Sequence, residues 1–189
     1  MTFIFFNFLS CILLLTSKLF ISPQAHIITE EHRDEDNKFY KEQQGSTGSG
    51  IAPCARDKYA RKGTRIWQLN TSNLFKEHNT DILFHTLDLA GNILCEGAQG
   101  IWLDINHGNY PFVTSSLTLP YSACSLGFPP QKIGNIYGAS KIYDTRVGID
   151  PDFSDDLLNN TDLTKIAEIG KEFGATTGRS RKVNWLNLD

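Results

Sequence analysis

The stretch CEGAQGIWLDINHGNYPFVTSS, Cys95 to Ser116, decides how this chain is read. Gly97 and Gly100 bracket Ala98 and Gln99, so the backbone there can turn tightly and approach a flat ligand. The Gln99 amide offers donors and an acceptor, which suits the edge or the hydroxyls of a nucleoside. Thr114, Ser115 and Ser116 form a row of hydroxyls able to bind phosphate oxygens. Asp104 and His107 are too few for a metal centre. They are expected to fix the loop through hydrogen bonds.

Two further segments carry similar chemistry. The Gly/Ser cluster Gly45 to Gly50 presents backbone N–H groups just ahead of a helix, an arrangement that favours an anion, and Thr47 adds a hydroxyl. No GxxxxGK[ST] phosphate loop occurs in the chain. Arg56, Lys58, Arg61 and Lys62 on the following helix read as a solvated face. The third segment is GATTGRSRKVNW, Gly174 to Trp185. Arg179 and Arg181 stand two apart and are expected to point to opposite sides of the loop. Two guanidinium forks can then serve two different anions.

The bulk numbers set the limits. The chain has 189 residues, 40% hydrophobic and 21% charged, which fits a globular α/β chain rather than a disordered one. A net charge of -3 gives no electrostatic case for nucleic acid. The four cysteines, at 11, 54, 95 and 124, show no metal spacing and are expected to be buried reduced thiols. Residues 1–26 are a hydrophobic leader whose first charge is Lys18. It is similar to a signal-peptide core or a marginal membrane anchor, but lacks the preceding basic residues. Without it three cysteines remain, an odd number that argues against a disulfide-built secreted fold.

Residues 27–44 are polar and read as a solvated helix or linker. Residues 45–189 form the main domain. A helix is predicted over Pro53 to Lys62, with Pro53 in its first turn and Gly63 beyond its end. Thr80 or Asp81 is predicted to cap a helix running to Leu89, although ILFHTLDL also fits strand alternation. Ile93 to Cys95 is predicted as a buried strand feeding the glycine turn, and Lys141 to Gly148 as another strand. A helix from Asp162 to Phe173 follows from the stripe Leu163, Ile166, Ala167 and Gly170, with a cap at Asn160 or Thr161 and a stop at Gly174. The fold class is α/β, a partial mixed sheet flanked by helices.

Taken in order, GSTGSGIAPCARDKYARKG, CEGAQGIWLDINHGNYPFVTSS, KIYDTRVG and EFGATTGRSRKVNW resemble adenylosuccinate synthetase from about Gly45 to Asp189. The resemblance implies GTP-dependent ligation of IMP and L-aspartate, with Mg2+, in a cytoplasmic homodimer. It implies IMP-binding roles for Thr47, Gln99, Thr114, Val147 and Arg179, and for Arg61 reaching the IMP site of a second subunit. It makes Ala175, Thr176, Thr177, Gly178, Arg179, Ser180 and Arg181 the aspartate loop, with Arg181 also on the GTP side.

The sequence departs from the family at Ser49, where arginine is usual, at Asn106, where aspartate is usual, and at Asp150, where a small residue is usual. The family's glycine-rich phosphate loop, catalytic base and acid, magnesium ligands and guanine-recognising aspartate have no counterpart among these 189 residues. Two functional readings follow: an incomplete ligase chain, or an IMP-side binding module without catalysis. A membrane-tethered protein is suggested only by residues 1–26. A sheet deprived of neighbouring strands is expected to expose edges and apolar faces.

Overall fold

The computed structural model describes residues 12–15, 18–69, 75, 80–82, 91–153, 159–174 and 178–187. Strands β1 (Ile12–Leu15) and β2 (Lys18–Ile21) pair antiparallel, and β3 (Thr80–Ile82) joins β2 in parallel. Further along, β4 (Tyr143–Arg146) and β5 (Lys182–Trp185) form an antiparallel pair. The sheet elements are therefore mixed, and the helices α1 (Glu30–Glu35), α2 (Lys41–Gln44), α3 (Ile51–Tyr59) and α4 (Thr161–Ile169) accompany them. Part of the apolar stretch read as a leader supplies β1 and β2. Among the described residues no helix is long and apolar enough to cross a membrane.

The polar stretch after residue 27 is helical. Thr29 caps α1 in a capping box with His32, and a π-helical turn, Asp36–Tyr40, links α1 to α2. It is not a purely solvated helix, because His32 and Asp36 are buried. α1 packs on α3, where the His32 Nε2 sits 3.4 Å from an Asp57 carboxylate oxygen. Cys54 is fully buried on the inner face of α3, with Pro53 and Ala55. α4 packs on β5 through Leu163 and Val183, the buried apolar pair at this end. The Asn160 side chain accepts from the amides of Asp162 and Leu163, as the cap requires.

Several expectations are corrected. α3 ends at Tyr59, short of Lys62, and α4 ends at Ile169 with Gly170 as its C-cap, short of Phe173 and Gly174. Thr80 and Asp81 begin a strand, not a helix, because β2 offers them a parallel partner; residues 83–90 lie outside the described residues. Ile93 to Cys95 form no strand, and Leu94 and Cys95 are exposed. The described cysteines are free, yet only Cys54 is buried; Cys124 is half-buried and Cys95 exposed. The pair β4 and β5 leaves apolar side chains uncovered beside and within it, including Ile142, Trp185 and Leu186.

Candidate functional site

The Gly45–Gly50 loop is built on Asp36, which is 1% exposed. One Asp36 oxygen accepts from the Ser46 hydroxyl at 2.5 Å and the other from the Gly50 amide at 2.7 Å. The Ser46 hydroxyl in turn accepts from the Gly48 amide, and Asn37 donates to the Gly48 carbonyl. Gly45, Gly48 and Gly50 all take left-handed φ, which only glycine adopts without strain. Thr47 is left exposed, its hydroxyl 2.7 Å from that of Ser49.

The end of β4 packs directly against this loop. A Cβ at Gly45 would lie 2.7 Å from the Ile149 nitrogen and 3.0 Å from the Gly148 Cα. Val147, half-buried, therefore sits beside the loop. Arg179 reaches it from the other direction, donating to the Gly45 carbonyl at 2.8 Å and the Ser46 carbonyl at 3.2 Å.

The opening stretch folds around Asp104, which is fully buried. One of its oxygens accepts from the amides of Asn106 and His107, the other from the amide and hydroxyl of Thr118. Gly108 is sterically required: a Cβ there would lie 2.4 Å from the Trp102 carbonyl oxygen. The Thr114 amide donates to the Leu103 carbonyl, which places Thr114 half-buried in the same knot. The turn before it puts Gln99 itself, not the flanking glycines, at φ +74, with its side chain exposed. A left-handed non-glycine residue is uncommon and is held only by its surroundings.

Asp150 ties this knot to β4. Its carboxylate accepts from the Trp102 indole at 2.8 Å and the Asn109 amide at 2.6 Å, and pairs with Arg146 at 3.2 Å. Arg146 also donates to the Phe112 carbonyl. The last residue of β4 thus holds one motif, while Gly148, two positions on, holds another.

At the base of the third segment, Phe173 bridges Ser180 and the Gly178 amide donates to the Gly174 carbonyl, closing a tight loop. Arg181 leaves in a different direction from Arg179 and pairs with Glu172 at 3.3 Å.

An ordered set of loops converging on one strand end is specific enough to compare. A family model described as adenylosuccinate synthetase matches residues 11–89 and 78–189. The chain belongs to the adenylosuccinate synthetase family. The enzyme of Phocaeicola vulgatus is 36% identical over 219 positions, covering 92% of this chain and 51% of its own length. That of Petrotoga mobilis is 33% identical over 218 positions, with the same coverage. The fully ligated adenylosuccinate synthetase of Plasmodium falciparum superposes with a TM-score of 0.67 at 28% identity, over 87% of this chain and 49% of that one. A cyanophage S-2L succinoaminodeoxyadenylate synthetase, bound to dGMP and dATP, shares the fold with a TM-score of 0.69 at 22% identity. The chain spans about half the length of the curated relatives it matches.

The aligned region exceeds the 189 residues of this chain, so adenylosuccinate synthetases carry positions inside it that are missing here. The two family matches meet at 78–89, which places a discontinuity there. It separates the α3 region from the glycine turn.

Within this family frame, the structure joins Thr47's loop, Val147 and Arg179 directly, and attaches Thr114's loop through Asp150. Arg61 lies apart from the Gly45–Gly50 loop, past the far end of α3, exposed and at φ +62. A helix of this length separates its ends by about 14 Å. Ala175, Thr176 and Thr177 lie outside the described residues. Sequence reasoning passed over Asp36, Glu172 and the role of Asp150; a carboxylate flanked by polar residues gives no sign of which distant donors it will meet. Among the described residues no group of three or more His, Cys, Asp or Glu could hold a metal ion. A cleft of about 240 Å³ between α1 and α3, lined by His32, Arg56 and Asp57, is distinct from these loops.

Asp104 gives a pH prediction. Burial pushes its carboxyl up, but the Thr118, Asn106 and His107 amides outweigh this and hold it below the usual aspartate range. A depressed carboxyl stabilises the fold above its unfolded pKa, and that contribution is lost as pH falls through the folded value. The melting temperature of wild type should therefore fall more steeply than that of Asp104→Asn between about pH 5 and about pH 3. Parallel curves would show that Asp104 does not anchor the knot.

Proposed function

We propose that this chain supplies the IMP and aspartate side of an adenylosuccinate synthetase site. The whole reaction is GTP-dependent ligation of IMP and L-aspartate to adenylosuccinate, a step of AMP biosynthesis. The observation that carries this reading is Arg179 seated on the carbonyls of Gly45 and Ser46. It brings an anion-binding guanidinium to a loop of left-handed glycines bearing the exposed Thr47, beside Val147.

Each residue then has a task. Thr47 and Thr114 donate hydroxyls to the IMP phosphate, Gln99 contacts IMP with its amide, and Val147 lies against the ribose. Arg179 neutralises charge between IMP and aspartate. Ala175, Thr176, Thr177, Gly178 and Ser180 complete the aspartate loop, and Arg181 faces the second anion, on the GTP side. Arg61 serves the IMP site of a second subunit, which its distance from the loop within one chain supports. Preorganised donors of this kind stabilise developing charge. The proton acceptor and the metal ligands of the family have no assigned residue here, so a non-catalytic IMP-binding module is the second reading.

Calorimetry tests the pocket. The 189-residue chain should bind IMP, and Thr114→Ala should weaken binding roughly 10-fold, the effect of one lost charged hydrogen bond. It should form no adenylosuccinate from IMP, aspartate and GTP. Equal IMP affinity in both proteins would remove Thr114 from the site, and GTP-dependent turnover would overturn the non-catalytic assignment.

A further inference from the structure

Glu172 is 5% exposed, lies three residues beyond α4, and gathers donors from β4 and from the segments that lead into β4 and β5. Lys141 reaches its two oxygens at 2.6 and 2.7 Å, the Tyr143 hydroxyl donates at 2.6 Å, and Arg181 at 3.3 Å. The Glu172 backbone carbonyl also accepts from the Arg181 amide. Arg179, two residues earlier, is held instead by the Gly45–Gly50 loop. Left alone, two neighbouring guanidinium groups would compete for whichever anion arrived first. A buried carboxylate facing only one of them removes that competition. It does not extinguish the charge, because Lys141 and Arg181 together outnumber it. The Arg181 Nε–H is buried with no acceptor among the described residues, a donor left over for an incoming anion.

We propose that Glu172 is a positioning residue: it draws Arg181 to the foot of the Gly174–Arg181 loop and keeps it apart from Arg179, so that each arginine serves a different anion. This deepens the reading of the loop given above and rests on it for the identity of the anions. The placement of Arg181 itself does not depend on that reading. Burial pushes the Glu172 carboxyl up, but Lys141 and Tyr143 donate to it and outweigh burial, so it ionises below the usual glutamate range. Lys141, Tyr143 and Arg181 are the titratable and charged groups facing it.

The test uses the full chain and nitrogen-15 spectra of the arginine Nε–Hε groups. In wild type both Arg179 and Arg181 should be ordered. In Glu172→Gln the Arg181 order parameter should drop below about 0.6 while that of Arg179 holds. Lowering the pH of wild type through the Glu172 pKa should loosen Arg181 in the same way, a transition missing from Glu172→Gln. The wild-type titration needs no substitution, so it decides the matter even if the variant misfolds. Arg181 unchanged in the variant or on titration, or both arginines loosening together, would overturn the proposal. Calorimetry separates it from the parent reading. Glu172→Gln should keep IMP affinity within about two-fold and weaken GTP at least about 10-fold. Failure of wild type to bind IMP sinks the functional reading and leaves the arginine spectra to judge Glu172.

Discussion

Asp36→Ala is expected to lower the stability of the chain by about 3–5 kcal/mol. The carboxylate is almost wholly buried and takes the Ser46 hydroxyl and the Gly50 amide, one on each oxygen. Gly50 is the N-cap of α3 and has no side chain to cap with, so Asp36 caps that helix from a distant turn. Its charge also faces the positive end of the helix, worth about 0.3–1 kcal/mol more. Removing it strands two buried donors, each at about 1–3 kcal/mol. Domains of this size have only about 5–15 kcal/mol in total. Urea denaturation should show the midpoint collapsing, with Asp36→Asn less damaging because one acceptor survives. A shift under about 1 kcal/mol would mean that the glycine loop holds its own shape.

The second large effect belongs to Arg179. Arg179→Ala should weaken IMP binding roughly 100-fold, the order expected when a charged hydrogen-bonding partner is deleted. Arg179→Lys should recover little of it. One guanidinium nitrogen, Nη2, donates to both carbonyls at 2.8 and 3.2 Å; an ammonium making those two bonds lacks the further planar N–H groups with which a guanidinium meets an anion. Affinity within two-fold of wild type in either variant would remove Arg179 from the pocket.

What could be read from the sequence was local. The cap at Asn160 and the stripe through Leu163 declared α4, and Pro53 marked the first turn of α3, because both signals lie within a few residues of what they control. KIYDTRVG declared β4 for the same reason. An extended chain would put Arg179 and Arg181 on one face; their separate directions come from their partners, the Gly45 and Ser46 carbonyls for one and Glu172 for the other. Where reading failed, a distant partner decided. Thr80 looked like a helix cap until β2 supplied a parallel neighbour. Ile93 to Cys95 looked like a core strand, yet Leu94 and Cys95 stand exposed close to where the two family matches meet. Asp36, Asp150 and Glu172 carried no local signal of burial, and each is an anchor largely through donors far along the chain, Gly50 for the first, Trp102 for the second and Tyr143 for the third.

Asp150 also has a bearing on how this sequence can drift. Trp102, Asn109 and Arg146 all meet on that one carboxylate, where relatives are expected to have a small side chain. Reverting Asp150 alone would take that acceptor from the Trp102 indole and the Asn109 carboxamide, and leave Arg146 with the Phe112 carbonyl. Three segments of the chain, at 102, 109 and 146, thus depend on a single carboxylate, and a change at Asp150 is felt in all of them at once.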